Sequence, residues 1–394
     1  MAISGNDGKA MLSGVKVIDL TTVVFGPFAT QILSDLGAEV IKVETPGVGD
    51  ISRHLGPSAV TKGMSPMFFA INGGKQSIAL DLKDPADLAT MHALLADADV
   101  FVLNVRGAGA ERLGLDYDSV RALNPGIVYV HCVGFGEDGP YAGMPAYDDV
   151  IQAASGATSL LSRVDGDPKA RYFPSLIADK VSGLHGAYAA LAALVHKLRT
   201  GEGQRVEVPM LEAFTRFMLI EHLGGLTFDP PVGPPCYFRQ IDPDRQPFPS
   251  SDGYISIVPY TEAAWPTLFA ALGEERIMDD PRFATREARV ANNGELNRTL
   301  ARITARFTSA ELEAICARVD IPVRIARDIA DIRADPHLAA TDFFTRSEHP
   351  TEGSFFDMKH PVRFGAWAAR PRSAAPLLDA DGDGIRRAIK PPSA

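Results

Sequence analysis

A chain of 394 residues is long for one hydrophobic core, so two or more domains are expected. Its composition, 46% apolar and 22% charged, is that of a globular protein. The formal net charge is −10, from 39 basic and 49 acidic residues, which argues against general affinity for nucleic acid but leaves room for local basic spots that hold a phosphorylated ligand.

The opening stretch, Met1 to Ala10, is small and polar and lacks the apolar core of a signal peptide. The cysteines Cys132, Cys236 and Cys316 form neither metal spacing nor a framework of pairs, so a cytoplasmic, reducing location without a metal is expected. Val15 to Leu20 reads as a buried strand, and Gly26-Pro27 opens a helix through Leu36 that Gly37 closes. Glu39 to Glu44 and Ser77 to Asp81 are further strands. Asp84-Pro85 starts a helix to Leu95. Val100 to Leu103 is a strand, Tyr117 to Leu123 a helix, and Ile127 to Cys132 a strand again. This alternation implies an α/β fold with a parallel sheet covered by helices. The Ala-rich stretch Gly183 to Val195 contains His185 and is too short to span a membrane, so it reads as a buried helix.

Prolines 230, 231, 234 and 235 break regular structure between about Leu226 and Gln246, where a domain boundary is placed. A smaller α/β unit follows, with a strand at Gly253 to Val258 and helices near Glu262–Leu272, Gly294–Phe307 and Ser309–Val319. From Asp335 onward Pro336, Pro350, Pro361 and Pro371 suggest an irregular tail.

Gly134-Phe-Gly136-Glu-Asp-Gly139 matches a dinucleotide fingerprint and follows a strand. Such a fingerprint needs a helix to start inside the turn, and Pro140 to Pro145 predicts a loop instead. Asn72-Gly-Gly-Lys75-Gln-Ser77-Ile-Ala-Leu80-Asp81-Leu82-Lys83 is a glycine turn leading into a strand. Asn104-Val-Arg106-Gly-Ala-Gly109-Ala-Glu-Arg112-Leu-Gly114 follows another strand, at the sheet edge where ligands collect in open α/β folds. Asp179 lies in Ser175-Leu-Ile-Ala-Asp-Lys-Val-Ser-Gly-Leu-His-Gly186, where a polar turn opens a long helix; a bare reading makes it a helix cap.

These segments, with Pro145-Ala-Tyr147-Asp148-Asp149 and Thr200-Gly-Glu-Gly203-Gln204-Arg205-Val-Glu-Val208, resemble the class III CoA-transferases, the CaiB/BaiF type that includes formyl-CoA transferase and shares its fold with α-methylacyl-CoA racemases. The likeness runs from about Leu12 to Ala213, with weaker echoes beyond. It implies a Rossmann-like large domain with a parallel sheet, made of residues 1–225 and a return segment 335–394. A smaller α/β domain at 226–334 and an interlocked homodimer are implied as well, with each active site where large and small domains meet. It implies Asp179 as nucleophile, with no permanently bound cofactor and coenzyme A thioesters as substrates. Contacts to coenzyme A are implied for Val24, Phe25, Leu80, Lys83, Asn104, Arg112, Tyr147 and Asp148. The racemases carry His where this chain has Tyr147, a poor base at neutral pH, so transfer is favoured over α-epimerisation; a non-catalytic CoA-binding protein is the third alternative. Val24, Phe25 and Thr45 depart from the formyl-CoA transferase pattern and predict a more apolar acyl group than formate or oxalate.

Overall fold

The structure, a computed structural model, describes residues 10–367 and 372–389. The polar opening stretch up to Lys9 and Pro371 lie outside the described residues. The chain divides into two compact units, one of residues 1–158, 172–218 and 338–394, the other of 159–171 and 219–337. The exchange points thus fall at 218/219 and 337/338, against the expected 225/226 and 334/335, and residues 159–171 belong with the second unit.

The first unit is built on a parallel sheet. Its elements begin β1 (Lys16–Leu20), α1 (Phe25–Asp35), β2 (Glu39–Glu44), α2 (Pro66–Asn72), β3 (Gln76–Ala79), α3 (Pro85–Ala96) and β4 (Val100–Leu103). They continue with α4 (Gly107–Arg112), α5 (Tyr117–Leu123), β5 (Val128–Val133), α6 (Asp148–Ala154), α7 (Leu160–Asp165, in the second unit), α8 (Ile177–Thr200) and β6 (Gln204–Pro209). The strand order is β3-β2-β1-β4-β5-β6, all parallel. That order reverses direction between β1 and β4, and ligands of such sheets bind outside the carboxyl ends at that reversal. The central strands are apolar throughout because both faces are covered: Val17, Val100, Phe101, Leu103, Val128 and Val130 are fully buried. Burying each such side chain contributes about 1.5–3 kcal/mol.

Helix α8 ends at Gly201, whose φ of +79° suits glycine and lets its N–H close on the Lys197 carbonyl at 2.7 Å. The loop Gly134 to Tyr147 runs without a helix until α6, so the glycine triplet after β5 does not open a phosphate-binding helix.

Helix α9 (Met210–His222) leads on to the second unit's strands β7 (Phe248–Ser250) and β8 (Gly253–Ile257), then to α10 (Ala264–Ala271), α11 (Arg286–Ala291), α12 (Asn293–Thr304), α13 (Ser309–Arg318) and β9 (Val323–Ile325). These strands form an antiparallel sheet, β7-β8-β9, whose core joins Ile255, Leu268, Phe269, Leu300 and Leu312. The proline-rich 228–247 stretch holds no helix or strand, as its composition predicts.

The tail from Asp335 departs from the expected irregularity. It forms α14 (Pro336–Ala340), an antiparallel hairpin of β10 (Phe344–His349) and β11 (Gly353–Met358), and α15 (Gly382–Ala388). Pro350 sits in the hairpin turn and Pro361 after the second strand, so neither interrupts a ladder. No helix among the described residues is long and apolar enough to cross a membrane.

Candidate active site

A cleft of about 270 Å³ opens at the reversal point of the sheet. Thr22, Val23 and Phe25 reach it from the turn after β1, and Asn104 and Arg106 from the turn after β4. His131 and Glu137 come from the end of β5 and the loop beyond, Tyr147 from just before α6, and Asp179 from α8. Its position follows from the sheet order alone.

Small residues bring α8 to this place. Its buried face runs through Asp179, Gly183, Gly186 and Ala190, spaced one turn apart, and packs on α1. A Cβ on Gly183 would come within 2.8 Å of the Phe28 ring and 3.0 Å of the Phe25 carbonyl oxygen, so only glycine permits this approach. Asp179, one turn earlier, is thereby set in the cavity that Phe25 also lines.

The capping explanation for Asp179 does not hold. The N-cap of α8 is Leu176, no side chain caps the helix, and among the described residues no hydrogen bond or ion pair reaches the Asp179 carboxyl. Instead the Asp179 N–H donates to Asp148 Oδ1 at 3.0 Å, and Asp148 Oδ2 accepts from Gln152 at 2.6 Å. Burial, and then the neighbouring Asp148 carboxylate, push the Asp179 carboxyl up to about 7. A carboxyl so raised is more basic than its kind and hence a stronger nucleophile once ionised.

The turn after β1 is unusual. Val23 has φ +72°, a left-handed conformation that costs a β-branched residue about 1–3 kcal/mol. It is Val23, not Val24, that faces the cavity; Val24 is buried as the N-cap of α1. Val24, expected at the acyl site, stands beside the cleft wall rather than in its lining.

Of the other expected contacts, Phe25, Asn104 and Tyr147 line the cleft, Tyr147 with 61% exposure. Asp148 lies buried behind Asp179. Leu80 is buried in the core at the end of β3, Lys83 is exposed beyond it, and Arg112 is exposed with its Nε–H on the Ala108 carbonyl; none of these three lines this cleft. Arg106, from the same stretch as Arg112, does line it.

Sequence reasoning missed His131 and Glu137. His131 Nε2 lies 2.9 Å from the Val105 carbonyl and Nδ1 lies 3.0 Å from Glu137, which also pairs with Arg205. The signal available was a histidine at the carboxyl end of a parallel strand, where ligands gather. Cys132 is also in the cleft wall, where burial pushes its thiol up and leaves it protonated.

The model of CoA-transferase family III matches residues 12–382. The succinate–glutarate CoA-transferase of Agrobacterium fabrum is 35% identical over 340 residues, 84% of each chain. The acetyl-CoA:oxalate CoA-transferase of Acetobacter aceti is 31% identical over 98% of this chain and 97% of its own. A CaiB/BaiF family protein from Brucella suis superposes with a TM-score of 0.84 at 30% identity, over 97% of this chain and all of its own. With the family model spanning nearly the whole chain, the protein belongs to CoA-transferase family III.

Proposed function

We propose that the protein moves coenzyme A between an acyl-CoA donor and a free carboxylic acid, with Asp179 as nucleophile. The observation that carries this reading is Asp179 itself, a carboxyl inside the cleft, free of any partner among the described residues and raised to about 7. The ionised carboxylate attacks the thioester carbonyl, the C–S bond breaks, and coenzyme A leaves as thiolate, giving a mixed anhydride. The thiolate attacks the aspartyl side of the anhydride, releasing the donor acid and leaving an aspartyl-CoA thioester. The acceptor carboxylate then displaces the thiolate, and the thiolate attacks the acceptor's acyl carbon, restoring free Asp179. The start of α1 has no side-chain cap, so its first N–H groups are donors for the developing oxyanion.

Asp148 orients the first turn of α8 through the Asp179 N–H. Lys83, Arg112 and the cleft residue Arg106 are the cations for the phosphates of coenzyme A. An α-epimerase needs an acid and a base about the α-carbon; Tyr147 stands in place of the racemase His, and both His131 nitrogens are engaged, which favours transfer. The relatives named for succinate, glutarate and oxalate make dicarboxylates the first acceptors to test, against the apolar acids that Val23 and Phe25 favour.

The same reading includes a homodimer. Leu184, Tyr188, Val195 and Leu198 form an exposed apolar stripe along α8, with Leu198 84% exposed. Light scattering on purified protein tests it, and a monomer at working concentration rejects it.

The function is tested by pairing a panel of acyl-CoA donors with free carboxylates and identifying new thioesters by mass spectrometry. New acyl-CoA that disappears with Asp179→Ala is expected. Exchange of α-deuterium without transfer would identify an epimerase, and binding without either reaction a non-catalytic protein.

A further inference from the structure

The turn that walls the cleft has its backbone held almost entirely by side chains from elsewhere. Lys42 Nζ donates to the Thr21 carbonyl at 2.8 Å. Asn104 takes both groups of Thr22, accepting its N–H at 3.1 Å and donating to its carbonyl at 2.9 Å. Asp50 Oδ1 accepts the Val23 N–H at 2.9 Å and the Ser52 N–H at 2.8 Å. These partners come from β2, the loop after β2 and the turn after β4. The clamped residue is the one with φ +72°.

Lys42 and Asp50 are fully buried, lie 2.8 Å apart and do not line the cleft. Lys42 is also 4.0 Å from Asp19, whose carboxylate holds Lys75 at 3.0 Å, so the cluster's charges balance. A buried ion pair is commonly matched in stability by apolar residues of similar volume. Apolar residues cannot, however, bind the Thr21 carbonyl and the Val23 N–H. The clamp therefore accounts for charges that stability alone leaves unexplained.

We propose that Lys42 and Asp50, with Asn104, are positioning residues that hold the Thr22–Val23 turn with Val23 left-handed and so set which acyl groups the cleft accepts. This rests on the acyl-transfer reading above. Lys42 and Asp50 touch no substrate; they act through the backbone that presents Val23 and Phe25 to the cleft. Glycine adopts positive φ at no steric cost, so Val23→Gly lessens the need for the clamp.

The test compares Asp50→Ala in the natural background and in Val23→Gly, using acetyl-CoA and benzoyl-CoA as donors. In the natural background the ratio of kcat/KM for the two donors should shift by about tenfold, while the Kd for free coenzyme A stays within about twofold. In the Val23→Gly background the shift should shrink several-fold. Amide exchange at Thr22 and Val23 should be slow in the natural protein and fast in Asp50→Ala. Asn104→Ala breaks both bonds to Thr22 without disturbing the buried charges, and carries the exchange test alone where Asp50→Ala does not fold. An equal donor-ratio shift in both backgrounds, or unchanged exchange at both amides, overturns the proposal. Should the natural protein turn over no acyl-CoA, the transfer reading fails, while amide exchange still decides whether the clamp exists.

Discussion

Two groups of buried acids stand close to the same cleft and behave in opposite ways. Beneath the turn after β1, Asp19 and Asp50 face Lys42 and Lys75. Burial opposes the ionisation of Asp19, but Lys42 and Lys75, helped by the Thr21 and Thr30 hydroxyls, outweigh it and hold the carboxyl well below the usual range. At the start of α8, Asp148 and Asp179 are adjacent with no cation between them, and Asp179 rises to about 7. The residue type and the depth of burial are alike; the partners differ. A compensated cluster is a scaffold, whereas a carboxyl left uncompensated inside a cleft is under strain that chemistry can use.

The largest way to break this contrast is at Asp179. Asp179→Ala and Asp179→Asn should each lower acyl transfer by at least about a thousandfold, while calorimetry still finds coenzyme A bound. Lys42→Met tests the scaffold side. It leaves Asp50 and Asp19 short of a cation and should cost about 3–5 kcal/mol in denaturant unfolding, because removing one partner strands a buried charge. A loss below about 1 kcal/mol would erase the distinction between the two clusters.

Stability against pH sharpens it further. The native pKa of Asp179 lies above its unfolded value near 4, so the folded state binds more protons between about pH 4 and 7 and the penalty for ionising grows across that window. Below it the penalty is absent, and above about 7 it is complete. Asp179→Asn should therefore raise the melting temperature by a few degrees at pH 8 and hardly at all at pH 4. Asp19 has the opposite sign: its folded pKa is depressed, so its contribution is present above the unfolded value and fades as pH falls below it.

The smallest effect belongs to Asp148. Asp148→Asn keeps an acceptor for the Asp179 N–H, gives up the one that Oδ2 offers Gln152, and removes the second cause of the raised pKa. The acid limb of kcat/KM, expected near pH 7 in the natural protein from the raised Asp179 carboxyl, should move to lower pH, with a severalfold gain at pH 6 relative to pH 8. An unmoved limb would assign the whole shift to burial.

Much of the sheet is legible in the sequence because doubly covered parallel strands read as apolar runs, as in Val100 to Leu103 and Val128 to Val133. The hairpin of β10 and β11 is not, because its strands are mostly exposed or half-buried, with His349 alone buried, and lack such a run. The place of Asp179 on a helix start is legible, but its raised carboxyl depends on burial against α1, which the close approach at Gly183 allows, and on Asp148, thirty-one residues away. Val23 carries no signal, since nothing in a valine announces positive φ. The lysine of Glu39-Val-Ile-Lys-Val-Glu44 did carry one: a charge amid a buried strand asks for a buried partner.

The central claim is that Asp179 is the uncompensated carboxyl that takes the acyl group. Hydroxylamine added during turnover with an acyl-CoA, followed by peptide mass spectrometry, tests it most directly. The account predicts a hydroxamate on Asp179, dependent on acyl-CoA and absent from Asp148. A hydroxamate elsewhere, or none while new acyl-CoA still forms, would contradict it.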